Sequence, residues 1–144
     1  MFNLILKIVN YRFDITEEDI QLAKSAMWKD ENNIFIGNLA EILASKYLNL
    51  QPNFEEKKNR KQADCGYDLY TNGLKYQVKG LQDSPNKKKI FLEKKNFNFD
   101  RYILVIISQD TKWGEVLVDA DRLTIENNSY FDNQFKKKYI QFRE

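Results

Sequence analysis

Four side chains in this sequence could do chemistry together if the fold gathers them: Glu41, Asp68, Gln77 and Lys79. The last three belong to one stretch, Gly66 to Gly80, reading G-Y-D-L-Y-T-N-G-L-K-Y-Q-V-K-G. Within it Asn72-Gly73 is a strong hairpin signal, because both residues tolerate the positive φ of a type I′ turn. With those two as the loop, Thr71 pairs with Leu74, Tyr70 with Lys75 and Leu69 with Tyr76, and Asp68 falls opposite Gln77. Side chains alternate along a strand, so Lys79 shares the face of Gln77. Asp68, Gln77 and Lys79 then occupy one face, and Leu69, Tyr76 and Val78 the other. Opposed Cβ atoms are about 5 Å apart and diagonal ones about 7–8 Å. That is close enough for a carboxylate, an amide and an ammonium to converge. The same residues would also be ordinary on the solvated face of a half-buried hairpin.

The fourth residue sits on an expected helix, Asn33 to Leu48. Ile36, Ala40, Leu43, Ala44 and Tyr47 follow helical spacing and should face the core. Glu41 lies inside this apolar segment. Its neighbours one turn away are Gly37, Asn38, Ala44 and Ser45, all small, so there is clear space above the carboxylate. A glycine inside a helix costs about 0.5–1 kcal/mol relative to alanine. Two reasons for Gly37 stand side by side: close approach of another element, or room for a metal and a phosphate. Asn38, on the face of Glu41, is a candidate for a supporting role.

Composition narrows the chemistry. The chain has 144 residues, 42% of them hydrophobic and 14% aromatic, which reads as one globular domain. There is no histidine, so neither a histidine base nor a histidine-ligated zinc is available. The single cysteine, Cys65, excludes an internal disulfide or a cysteine cluster. No run approaches the roughly 20 apolar residues needed to span a bilayer, and Phe2 to Val9 lacks the flanks of a signal peptide. The expectation is a soluble cytoplasmic protein. Net charge is only +2, but the charges cluster. Lys57, Lys58, Arg60 and Lys61 form one basic group, Lys87, Lys88 and Lys89 a second, and Lys136, Lys137 and Lys138 a third. Such groups with aromatics nearby could contact phosphates, although short lysine runs are commonly solvated loops.

The rest of the chain reads as follows. Residues 2–9 read as a strand. Thr16 caps a helix whose first turn holds Glu17, Glu18 and Asp19, running to about Lys29. Asn53 to Lys57 reads as a short strand, Leu81 to Lys89 as a loop, and Ile90 to Phe99 as a short helix or an irregular segment. Tyr102 to Ser108 is continuously apolar and β-branched, as for a strand buried on both faces. Gly114 to Asp119 should lie beside it. Asp121 to Ile125 opens a helical turn, and Tyr139 to Phe142 is a terminal strand.

The order of helix with Glu41, hairpin with Asp68 and Gln77-Val78-Lys79, then buried strand resembles the PD-(D/E)XK nuclease superfamily. The G-Y-D-L and Q-V-K-G pieces are similar to its Q-x-K variants, and the resemblance covers roughly Ile34 to Asp119. It implies a mixed α/β fold of the restriction-endonuclease-like type. That is an αβββαβ core over about 33–119, with the strand and helix of residues 1–30 added, in one domain spanning 1–144. Tyr67 stands where many members have proline, and Gln77 replaces the commoner acidic residue. The resemblance implies a Mg²⁺-dependent endonuclease acting on DNA, with Mn²⁺ as a substitute. A hard divalent cation held by oxygens can polarise an anionic phosphodiester and acidify a bound water. Asp68 would be the central ligand, with the Val78 carbonyl and Glu41 completing the shell and Gln77 as a neutral oxygen donor. Lys79 would orient water and stabilise developing charge; whether it also acts as base stays open. Asp64 is a rival for the role of Asp68, but it lies outside the paired segment. The three residues of the hairpin and Glu41 are the candidate catalytic set, and the first two basic groups the candidate DNA contacts. Small members of this superfamily cut both strands, so a homodimer or higher assembly follows by analogy. Two other readings compete: a non-catalytic nucleic-acid-binding module on the same fold, and an interaction domain with no nucleic-acid role.

Overall fold

The structure is a computed structural model that describes residues 8–52, 54, 68–92 and 98–143. In chain order the elements are β1 (Ile8–Asp14), α1 (Glu17–Ser25), α2 (Asn32–Tyr47), β2 (Leu69–Thr71), β3 (Leu74–Gln82), β4 (Lys89–Phe91), β5 (Arg101–Ile107), β6 (Trp113–Asp121), α3 (Arg122–Asn127), β7 (Tyr130–Asp132) and β8 (Lys137–Gln141). They build a five-stranded sheet in the order β1-β6-β5-β3-β2 and a three-stranded sheet in the order β4-β8-β7. The larger sheet is mixed: β3 and β5 run parallel, and its other neighbours are antiparallel.

The apolar run 102–107 explains the layering. β5 is the central strand, and its side chains are buried on alternate faces. Ile103, Val105 and Ile107 pack with Ile36, Leu39, Ala40 and Leu43 of α2. Tyr102, Leu104 and Ile106 pack with Ile90, Ile125, Ile140 and Phe142. A strand covered on both sides has no position for a polar side chain, hence its unbroken hydrophobicity.

The Asn72-Gly73 turn forms as read, with φ of 51° and 77°, and Leu69, Tyr70 and Thr71 pair with Tyr76, Lys75 and Leu74. Thr16 caps α1 in a reciprocal box with Asp19, each backbone N–H of the pair meeting the other's side-chain oxygen. α1 stops at Ser25, short of the expected Lys29. The Ala23 carbonyl, which the next turn would need, accepts from the Asn38 side chain of α2 at 3.0 Å. Met27 N–H bonds to the Lys24 carbonyl instead.

β3 runs one residue past the expected loop start at Leu81, because it pairs with β5 as far as Gln82 and Ile107. Residues 89–91 are a strand and not a helix, since Ile90 pairs with Ile140 of β8. The strand expected over 53–57 lies outside the described residues except for Phe54, which is helical and buried. The sequence reading sets residues 1–30 outside the core. Of these, β1 is an edge strand of the main sheet and Ala23 of α1 is fully buried against α2. No described helix is long and apolar enough to cross a membrane.

Candidate active site

β2 covers the edge of β3 only from Leu74 to Tyr76. Among the described residues no strand covers that edge beyond Tyr76, and α2 lies across one face of it. The result is a cleft of about 510 Å³, within the range of ligand sites. Glu41 and Gly37 line it from α2, Asp68 from the start of the hairpin, and Gln77, Val78 and Lys79 from β3. All five candidate metal and catalytic residues therefore meet at one place. Tyr76 and Val78 point to the α2 core, whereas Gln77 and Lys79, one residue out of phase, start from the opposite face. They line the cleft from the far side of the open edge.

Asp68 departs from the register expected of it. The β2–β3 ladder ends at Leu69 and Tyr76, so Asp68 is not paired with Gln77. Its N–H donates to the Tyr76 carbonyl at 2.8 Å, and its Oδ2 accepts from the Val78 N–H at 2.9 Å. This fixes the carboxylate at the strand edge. A strand residue presents its N–H and C=O to the same side, so the Val78 carbonyl opens to the edge where Asp68 stands. The Asp68 charge is also felt at Tyr102, which lies beside Gln77 in the parallel register. Burial first, and that charge second, push the Tyr102 hydroxyl pKa upward.

Glu41 is 5% exposed. The space above it is real: a Cβ placed on Gly37 meets nothing within 4 Å, so close approach of another element does not account for this glycine. The close approach occurs at Gly80, where a Cβ would lie 2.5 Å from Ala40 Cβ and 3.1 Å from the Ile36 carbonyl oxygen. Asn38 is buried and anchors α1, so its amide serves packing and not the cleft. Asn32 closes one end of the cleft by donating to Gln82 Oε1 at 3.2 Å, and Gln82 in turn donates to the Gln109 carbonyl at 3.1 Å.

The expected phosphate contacts divide. Lys57, Lys58, Arg60 and Lys61, and the rival carboxylate Asp64, lie outside the described residues. Lys87 lines the cleft. Its loop is held by Arg143, which donates to the Ser84 carbonyl at 3.1 Å and pairs with Asp83 at 2.8 Å. Lys88 is exposed. Lys89 turns to the small sheet, 3.3 Å from Asp132 and 4.5 Å from the centre of the Tyr139 ring.

Sequence reasoning missed a polar cluster at the far end of α2. Tyr47 donates to Asp119 Oδ2 at 2.8 Å, and Arg101 Nε donates to Oδ1 at 2.9 Å. Burial and this bond to a carboxylate raise the Tyr47 pKa to about 12. Tyr47 and Arg101 are far apart in sequence and each is unremarkable alone, so no local signal could have found them. A second groove of about 590 Å³ at the α1–α2 turn is lined by Trp28 and Phe35. Its Glu31 is an exposed group paired with Lys29 at 2.8 Å, without the buried carboxylate of the first cleft.

Around Asp68 and Val78 the cleft offers two carboxylates, Glu41 and Asp68, the side-chain amide of Gln77 and one strand-edge carbonyl, and the amides of Asn32, Asn33 and Gln82 line it further along. All are oxygen donors, which suits a hard divalent cation such as Mg²⁺ and not a thiophilic metal. Among the described residues no three His, Cys, Asp or Glu side chains gather as a metal-binding group, and the cleft's donor set, with two carboxylates, does not require one. No protein-family model matches this chain, and no curated protein is significantly similar to it.

Proposed function

We propose that the cleft is the active site of a Mg²⁺-dependent endodeoxyribonuclease of the PD-(D/E)XK type. The observation that carries this reading is the convergence of Glu41, Asp68, Gln77, Val78 and Lys79 on one cleft. The two carboxylates come from separate elements, a buried helix and the start of a hairpin. The mixed sheet with parallel β3 and β5 supports the same reading, as does the oxygen-only donor set.

In this reading Asp68, Glu41, Gln77 and the Val78 carbonyl would hold Mg²⁺, with Mn²⁺ as substitute. The cation would supply charge neutralisation at the scissile phosphate and a more acidic water. The chain's own residues do the rest. Val78 N–H fixes the Asp68 carboxylate, so its orientation is set before substrate arrives. Lys79, exposed on the open edge, pairs with a non-bridging phosphate oxygen and stabilises the charge that grows there. Lys87 contacts a flanking phosphate. Gly37 leaves the volume that the phosphate occupies. DNA is the substrate and a homodimer the working assembly.

The test is cleavage of supercoiled plasmid, linear duplex and four-way junction with Mg²⁺ or EDTA. Lys79→Ala should lose about 10²–10³-fold in rate, the scale of removing one preorganised charge-stabilising donor. It should unfold at the wild-type midpoint, because Lys79 is a surface residue. A Lys79→Ala variant that cuts as fast as wild type refutes the proposal. Salt-dependent DNA binding with no cleavage under any metal would instead identify a binding module.

A further inference from the structure

The outer face of the small sheet carries a row of aromatic rings. Phe91, Tyr139 and Tyr130 are register partners across β4, β8 and β7. Tyr130 stacks on Tyr139 at 5.6 Å between centroids, and Phe91 meets Tyr139 edge-on at 6.0 Å. Ile90 and Ile140, one residue out of phase, point inward to the core, so the row faces out. Phe135 extends it from the β7–β8 turn, 5.5 Å from Phe91 and still 55% exposed. Its place is set by the backbone, since Asp132 Oδ1 accepts from the N–H groups of Gln134 and Phe135 at 2.8 and 3.0 Å. Rings fixed in advance lose little freedom when a partner lands on them.

Charge identifies the partner. Residues 89–91 and 130–141 contain four lysines (89, 136, 137 and 138) and one carboxylate, Asp132. An apolar protein surface would not need that excess, whereas a polyanion with flat apolar groups would use both features. Unpaired nucleic-acid bases stack on aromatic rings while lysines meet the phosphates; the bases of a duplex are already stacked and cannot. Continuity adds to this. Lys87 lines the cleft and Lys89 lies over the Tyr139 ring, with only Lys88 between them. Two residues of chain span about 7 Å at most, close to one nucleotide step.

We propose that this aromatic face binds single-stranded DNA, whose phosphates follow Lys89, Lys88 and Lys87 towards the cleft. The choice of DNA rests on the nuclease reading; the stacking surface does not. The expected substrate is therefore DNA with an unpaired arm beside the scissile bond.

The test is fluorescence anisotropy of a labelled dT20 oligonucleotide in EDTA, where nothing is cut. A blunt duplex of equal length and U20 RNA serve as the other arms. Single-stranded DNA should bind at least tenfold tighter than the duplex and no more weakly than the RNA. Tyr130→Ala and Phe135→Ala, both at exposed positions, should each weaken binding about 5- to 100-fold. Tyr130→Phe should retain it, which separates a lost ring from a lost fold. Lys137→Ala should flatten the salt dependence by about 0.7 in log–log slope. Equal binding of duplex, tighter binding of RNA, or binding unmoved by both alanine variants overturns the proposal. Cleavage is not read in this assay, so a cleft that fails to cut leaves its outcome intact.

Discussion

Replacing Gly80 by alanine should drive α2 off the sheet. An added Cβ would stand 2.5 Å from Ala40 Cβ. Ordinary carbon–carbon contacts are about 3.5–4.0 Å, so the helix or strand must withdraw by about 1 Å. Neither partner is the flexible end of a side chain: one is a helix methyl and the other, at 3.1 Å, is the Ile36 carbonyl. Overpacking of this kind costs about 1–3 kcal/mol, offset in part by about 0.4–1 kcal/mol from the stiffer unfolded chain. The net expectation is a loss of about 1–2 kcal/mol, read as a lower urea midpoint at unchanged slope. Ala40→Gly alone should cost about 0.5–1 kcal/mol as a helix-interior glycine. Combined with Gly80→Ala it removes the methyl in the way, so the double variant should be more stable than the sum of the single losses predicts. Recovery should be incomplete, because the Ile36 carbonyl remains. A Gly80→Ala protein with the wild-type midpoint, or strictly additive losses, would refute the packing argument. Since α2 carries Glu41 and β3 carries Lys79, the same 1 Å shift should also slow cleavage about 10²-fold.

Gly37→Ala should do the reverse to stability, raising it by about 0.5–1 kcal/mol because the new methyl meets open space. It should also lower cleavage by intruding on the cleft; a rise in both would show that the space is not used. Asp19→Asn removes the partner of Lys46, 2.7 Å away. Burial opposes the charge on Asp19, but hydrogen bonds from Lys46 and Thr16 outweigh it and hold its pKa below the ordinary 3.8. A depressed carboxylate stabilises above its unfolded pKa and loses that contribution as pH falls through the folded value. The variant should therefore be about 1–2 kcal/mol less stable than wild type at pH 7, with the gap closing below about pH 4. Urea midpoints at pH 7 and pH 3 check this, and a gap that widens in acid would contradict the sign.

Several features were legible because their causes are local. Asn72-Gly73 sets its own turn through two positive φ angles, and that turn sets the register of Leu69, Tyr70 and Thr71. Thr16 and Asp19 are three residues apart and cap α1 without help from elsewhere. The β-branched run after Arg101 marks the central strand because only a strand covered on both faces can be so uniformly apolar. Other features depend on groups distant in sequence. α1 ends early because Asn38 takes the Ala23 carbonyl. Asp68 leaves its expected pairing because the Val78 N–H is exposed on an edge that β2 is too short to cover. The two glycines that a sequence treats alike, Gly37 and Gly80, divide into open space and tight packing only once α2 lies on β3. The amino-acid order determined which residues could do chemistry and the local turn and caps that present them. Whether Glu41 meets Asp68 was decided by tertiary packing alone, since it depends on the separation of α2 and β3, and no local dihedral preference encodes a distance between elements.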